Sequence, residues 1–383
     1  MVPGGKELNL AKPVFLFTGF ESGSPLLWDV TDDSVEIQAL HDHERGSSNR
    51  QASHWFFEIH GEAGLKVKIK MLPLENIYGG HRAHFLREGV TSVYSVDGKT
   101  WTPVTFEHHP DRSLSLAFTL PAPVTRFSLV PPYTTVELEA FLAGLKSSPF
   151  AHVEELARTA EGRPVEWVTL STWKAKKSVL LRARAHPWET GGSYFLEGVA
   201  QRLLDHPEGQ AILDRLDFHF IPMANKDGVV RGYSRFNPSG ADLNRHFTLG
   251  YDHAGNAAPE NAGLMAWLER KRKENRLPSF AMDLHNDQEG NLHLSPDDGK
   301  GYRQRMLRFD GLLRKHTPYT EGAKDGAASG TFGDGLLTQY GIDAVILELN
   351  CQWLEGRKSV PLAAHWREYG AGFVDAVAEF FAD

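Results

Sequence analysis

The chain has 383 residues, of which 41% are hydrophobic and 23% charged, and its formal net charge is −8 at pH 7. That balance suits a globular chain long enough for two domains, and the negative excess argues against nucleic acid or an anionic membrane as the main partner. The single cysteine, Cys351, rules out an intrachain disulfide.

The opening stretch "MVPGGKELNLAKPVFLFTGF" lacks a basic start followed by an apolar run of signal-peptide length. No stretch approaches the ~18 uninterrupted apolar residues of a membrane span. A cytoplasmic location and no membrane partner are the expectation. In residues 1–132 the pattern is short and alternating: "HWFFEIHG", "LKVKIKML", "VTSVYSV", "SLSLAFTL" and "TRFSLVPP" each read as a strand. Turn signals such as Gly79-Gly80 and Asp97-Gly98 separate them. These features predict an antiparallel β-sandwich.

The rhythm changes after Pro131-Pro132. "TTVELEAFLAGLKSSP" has apolar positions at helical spacing, with Thr135 as its expected cap. Strands are expected at 165–171, 178–185, 216–223, 280–285 and 343–349. Helices are expected at 192–204, 260–274, 302–316 and 362–382. This alternation predicts an α/β domain over residues 133–383, a mainly parallel sheet with helices on both faces.

In open α/β sheets, ligands bind beyond the carboxyl ends of the strands. Polar residues gather there: His186 and Glu189 after the 178–185 strand, His285 at the end of 280–285, and Glu348 near the end of 343–349. The loop after Met223 adds Arg235, Asn244 and Arg245. Two imidazoles and a carboxylate, His186, Glu189 and His285, make a plausible catalytic zinc set, because they leave a fourth position for water. His-x-x-Glu alone is a weak signal, and the strand-end position of all three residues strengthens it. A carboxylate such as Glu348 on an apolar strand loses several kcal/mol on burial unless paired or solvated in a cavity. An ion pair with an arginine is the simpler reading of Glu348.

The ordered set His-x-x-Glu, Asp-x-Asn-Arg, Asp-x-His and a late Glu resembles the M14 zinc carboxypeptidases. "RARAHPWET", "FIPMANKDGVVRGYSRFNPSGADLNRHF" and "GIDAVILELN" look most like their cytosolic carboxypeptidase branch, whose members carry a β-sandwich before the catalytic domain. The resemblance implies one zinc per chain on His186, Glu189 and His285, with Glu348 as general base. It implies Arg235 as the residue that polarises the scissile carbonyl, and Asn244 and Arg245 as the grip on a peptide's terminal carboxylate. It makes Asp242 the partner that orients a zinc histidine, where a simple turn residue is the alternative. The substrate implied is the C-terminus of a peptide or protein. A related zinc amidohydrolase or deacylase of small N-acyl amino acids shares the ligands and the late glutamate, but does not usually carry the sandwich.

Departures from the branch are Trp188 in place of glycine, Lys226 in place of proline, and Asn286-Asp287 after the third ligand. Ala327 stands where pancreatic-type relatives have a lid tyrosine; Tyr319 and Tyr340 are nearby alternatives. Asp334 matches the position that lines the pocket for the terminal side chain, where an aspartate selects lysine or arginine and opposes glutamate. The ammonium of Lys226, reaching the same pocket, would restore acid preference. Gly333-Asp334-Gly335 also reads as a plain turn.

Overall fold

The computed structural model describes residues 14–31, 34–42, 49–52, 54–83, 90–245, 247, 258–296 and 298–382. The first part folds as two five-stranded sheets. One runs in the order Phe15–Phe17, Phe56–His60, Val124–Ser128, Thr91–Ser95, Thr102–Thr105; the other runs Glu107–His108, Leu114–Thr119, Lys66–Met71, Val35–Ala39, Leu26–Val30. Alternation decides the faces: Val35, Ile37 and Ala39 are buried while Glu36 and Gln38 are half-buried. The sheets meet through aromatic rings, with Phe118 edge-on to Phe127 at 5.1 Å. Pairing within them is antiparallel except between Val35–Ala39 and Lys66–Met71, which run parallel. A separate hairpin pairs Asn76–Tyr78 with His81–Ala83.

The cap of the helix Thr135–Leu145 lies one residue earlier than expected. Thr134 is the cap: its hydroxyl accepts from the Val136 N–H at 3.2 Å, while Glu137 reaches back to the Thr134 N–H at 2.7 Å. Thr135 instead donates its own N–H to Glu21 at 2.7 Å, a tie back to the sandwich.

The second part is built on an eight-stranded sheet in the order Ala151–Arg158, Pro164–Leu170, Leu216–Ile221, Lys177–Ala183, Phe280–Asp287, Asp343–Asn350, Leu292–Leu294, Ala323–Asp325. The four central strands, Leu216–Ile221 through Asp343–Asn350, are mutually parallel. Their largely apolar sequences follow from burial on both faces. Val179, Leu181, Phe280 and Met282 pack into one core with the helices Gly191–Leu204, Tyr302–His316 and Ala363–Phe380. Leu180 and Ala281 point the other way, into a second core under the helices Pro259–Lys273 and Phe332–Tyr340. Glycines set the closest helix crossing: a Cβ on Gly198 would collide with the Arg367 carbonyl, and one on Gly370 with the Phe195 carbonyl. The expected fold class holds. The strands Ala151–Arg158, Leu292–Leu294 and Ala323–Asp325, and the helix Phe332–Tyr340, were not expected from the sequence.

The two parts are joined by direct bonds. Ser22 bonds the carbonyls of Val230 at 3.1 Å and Val229 at 2.8 Å, and Thr190 donates to the Pro131 carbonyl at 2.9 Å. The Gln352 amide exchanges bonds of 2.7 and 3.1 Å with the backbone of Thr91. Among the described residues, no helix is long and apolar enough to cross a membrane.

Candidate active site

The strand that carries the first two site residues stops at Ala183, two residues before its expected end. Arg184 takes a left-handed conformation, φ 62°, which turns the chain out of the sheet. Its buried guanidinium donates to the Pro187 carbonyl at 2.8 Å and to the Tyr133 carbonyl at 2.8 Å, tying the following turn to the segment that links the two parts. His186-Pro-Trp-Glu189 is therefore held from beneath, and both of its polar side chains face one point.

His285 meets them there from the end of the neighbouring strand Phe280–Asp287. Ligand atoms of His186, Glu189 and His285 lie within 4.8 Å of one another, and all three side chains are buried. Glu189 touches His186 Nδ1 through one oxygen at 2.8 Å and His285 Nδ1 through the other at 2.7 Å. The two Nδ1 atoms are 3.1 Å apart. Behind them, His285 Nε2 meets Asp283 at 2.8 Å and His186 Nε2 meets Asp242 at 3.2 Å. With each Nε2–H donated to a carboxylate, both Nδ1 lone pairs and the Glu189 oxygens face one another.

Such an arrangement calls for positive charge. Burial alone would depress His285, yet the Asp283 and Glu189 carboxylates outweigh it and raise its pKa well above the usual imidazole range. Burial would likewise raise Glu189, but the two histidines hold it down to about 2. The donor set, two imidazoles and one carboxylate with carboxylates behind both rings, fits zinc.

The outer carboxylates are themselves anchored. Asp283 forms a two-point ion pair with Arg182, at 2.8 and 2.5 Å, and Arg182 also donates to the Leu243 carbonyl at 3.1 Å. Asp283 and His285 share a strand face because they are two residues apart. Asp242 accepts from Arg235 Nε at 2.8 Å and from the Asn244 N–H at 2.9 Å. That last bond explains the Asp-x-Asn spacing: the carboxylate closes a local turn that presents Asn244 and Arg245. Buried Asp242 would be expected to hold its proton, but Arg235 and His186 keep its pKa well below the usual range.

A cavity of about 400 Å³ opens over this cluster, lined among others by Arg235, Asn244, Arg245 and Glu348. Glu348 has one carboxylate oxygen that is buried with no hydrogen-bond partner among the described residues. Burial and the nearby Asp287 push its pKa well above the usual carboxylate range. Among the described residues Glu348 forms no ion pair with an arginine, so the simpler reading of it finds no support. Asp287, His293 and Glu348 form a second group whose ligand atoms also lie within 4.8 Å.

Residues 138–266 match the Peptidase M14 family, described as zinc carboxypeptidase. That segment, about a third of the chain, resembles the M14 zinc carboxypeptidases. Human cytosolic carboxypeptidase 2 is 34% identical over 128 residues, 30% of this chain and 14% of that protein. An uncharacterised protein of Zymomonas mobilis is 26% identical over 232 residues, 58% of each. The chain thus spans less than two thirds of these relatives. A metallo-carboxypeptidase from Burkholderia cenocepacia has the same fold, with a TM-score of 0.81 at 21% identity over 96% of this chain and 98% of that one. One from Pseudomonas aeruginosa, in complex with (2-guanidinoethylmercapto)succinic acid, gives 0.76 at 18% identity over 95% and 98%.

Two residues expected at the pocket lie elsewhere in the structure. Asp334 does not line the cavity. It is buried in the first turn of the Phe332–Tyr340 helix, where its carboxylate accepts from the Gly330 N–H at 2.8 Å and fixes the loop entering that helix. Lys226 does not reach the cavity either; its ammonium is paired with Glu166 at 2.5 and 2.7 Å. Asn286 holds structure, accepting from the Gly191 N–H at 2.8 Å and donating to the Leu349 carbonyl at 2.8 Å, and both it and Asp287 line the cavity. Ala327 sits on the cavity wall, while Tyr319 is bonded to Asp310 and Tyr340 to Glu269, both away from it.

Sequence reasoning missed Asp283 as an orienting residue, though its spacing from His285 carried the signal. It also missed Asp42. This buried carboxylate from the sandwich accepts the N–H groups of Ser234 at 2.9 Å, of Arg235, and of Phe236 at 3.0 Å. No motif marks Asp42, because its partners are backbone groups nearly two hundred residues away.

Proposed function

We propose that the protein is a zinc-dependent metallocarboxypeptidase that removes the C-terminal residue of peptides or proteins. The observation that carries this reading is the convergence of His186, Glu189 and His285 beneath a cavity that also holds the unpaired Glu348 and the cations Arg235 and Arg245. One zinc ion per chain, held by His186, Glu189 and His285, would supply Lewis acidity and bring the pKa of a water from about 16 toward about 7. Glu348, lifted in pKa by its burial, takes the proton of the attacking water and passes it to the leaving amine. Arg235, fixed by Asp242 through its side chain and by Asp42 through its backbone, stabilises negative charge developing on the scissile carbonyl oxygen. Arg245 and Asn244 grip the free carboxylate that defines a C-terminus. Asp242 and Asp283 hold the two ligand imidazoles in the tautomer that leaves Nδ1 free. The name of the cytosolic carboxypeptidase relatives supports a cytoplasmic location.

The test is digestion of one peptide in free-acid and C-terminally amidated form, followed by mass spectrometry. Stepwise loss of residues from the free acid alone is expected, with Glu348→Gln keeping the metal and losing at least about a hundredfold in turnover. Equal cleavage of both forms, or release of acyl groups from N-acyl amino acids without peptide trimming, would transfer the assignment to the amidohydrolase reading.

A further inference from the structure

The cavity wall is not made by the catalytic domain alone. Gln51 and Tyr78 from the sandwich line it together with His186, Glu189, Arg235 and Glu348. Among the described residues that line it, Tyr78 is the only tyrosine. The two segments that present this pair are laced together. Arg50 and Ile77 exchange backbone bonds of 2.8 and 2.9 Å, and the Asn76 side chain accepts from the Ala52 N–H at 2.9 Å. Asp42 fixes the sandwich to the backbone of Arg235 itself.

The polarity of the pair matters. The Gln51 amide donates to the Tyr78 phenolic oxygen, which fills an acceptor position on that oxygen and leaves its hydrogen to be given elsewhere. Gln51 is buried, at 3% exposure, so it is not free to swing away, whereas Tyr78 is 36% exposed and opens to the cavity. The charges that act on the phenol are those of Arg235, Glu189 and Glu348, the groups around the reacting carbonyl.

We propose that Tyr78, supplied by the sandwich domain and oriented by Gln51, donates its hydroxyl hydrogen to a carbonyl oxygen of the bound peptide beside Arg235. The sandwich is then part of the hydrolytic centre, not only an appendage to it. This rests on the carboxypeptidase reading. A hydroxyl donor in a preorganised site contributes about ten- to a hundredfold when removed alone.

The decisive comparison is wild type, Tyr78→Phe and Gln51→Leu in the full chain. Zinc content, melting temperature, kcat and KM on a free-acid peptide, and calorimetric affinity for a phosphinic peptide that mimics the tetrahedral state are all measured. Tyr78→Phe should keep its zinc and melting temperature, lose about ten- to a hundredfold in kcat/KM, mostly in kcat, and bind the phosphinic peptide more weakly by a similar factor. Gln51→Leu should fall between the two. A Tyr78→Phe protein within about twofold of wild type in turnover and phosphinate affinity overturns the role of Tyr78 while leaving the carboxypeptidase reading intact. A zinc-loaded wild type that neither trims the peptide nor binds the phosphinate refutes that reading and the tyrosine's role with it.

Discussion

Asp283→Asn changes one atom in the deepest part of the site and should disturb both the metal and the fold. The Arg182–Asp283 pair is almost wholly enclosed, with side-chain exposures of 1% and 0%. Breaking a buried ion pair from one side costs about 3–5 kcal/mol, and asparagine still offers one acceptor to Arg182, so a loss near about 3 kcal/mol is expected. The second effect is on His285. Its Nε2 now faces either a carboxylate that accepts a proton bond or an amide that donates one, and the donating amide favours the tautomer with hydrogen on Nδ1, where the metal would bind. Losing such an orienting partner typically weakens metal binding by about 10–100-fold. Asp283 has its pKa depressed in the fold, because the Arg182 and His285 charges overcome its burial. Its stabilisation is therefore present above the ordinary aspartate value and is lost only as pH falls toward the depressed folded value. The difference between wild type and variant should accordingly persist from pH 5 to pH 8. Urea unfolding in chelator, and zinc affinity by competition with a fluorescent chelator, measure the two effects separately. A variant with the wild-type unfolding midpoint and zinc affinity within twofold would refute the reasoning.

Arg245→Ala should raise KM for free-acid peptides by at least about tenfold, with zinc content unchanged, because it removes a charged contact to the terminal carboxylate; an unchanged KM counts against that grip. Asp334→Ala should leave the preference among Glu-, Lys- and Leu-ended peptides unaltered and lower stability by about 1–3 kcal/mol, since the buried Gly330 N–H loses its acceptor. A switch in preference would return Asp334 to the pocket. Glu260 is buried and is pushed up to about 7, first by burial and then by Asp227. Its folded pKa exceeds its unfolded one, so its contribution is full below about pH 4.5 and is lost as pH rises through about 7. Glu260→Gln should therefore raise the melting temperature at pH 8.5, by on the order of 2–3 kcal/mol in stability, and give no gain at pH 4. An equal shift at both pH values would show that the charge is not the cause.

The central strands were legible because apolar runs such as "SVLLRARA" have no other use in a sheet covered on both sides. That His186, Glu189, His285 and Glu348 lie together was legible because each sits near or just beyond the end of such a strand. The Phe332–Tyr340 helix was not, since Gly333 and Gly335 weaken its local preference and its formation depends on packing against Phe247 and the sheet. The strands Leu292–Leu294 and Ala323–Asp325, the last two of the sheet, are too short to show a period. For Asp334 a sequence match says which residue lies near a pocket, not which way its side chain turns, and in the structure its carboxylate accepts from the Gly330 N–H. Asp42, Gln51 and Tyr78 reach the site only through the docking of two domains, and no local spacing encodes that.

Crystals of the zinc-loaded protein, with anomalous scattering collected on both sides of the zinc edge, test the central claim most directly. The account predicts one strong zinc peak per chain, bonded at about 2.0–2.2 Å to an imidazole nitrogen of His186, an imidazole nitrogen of His285 and a carboxylate oxygen of Glu189. A peak held instead by Asp287, His293 and Glu348, or none at His186, Glu189 and His285, would contradict it.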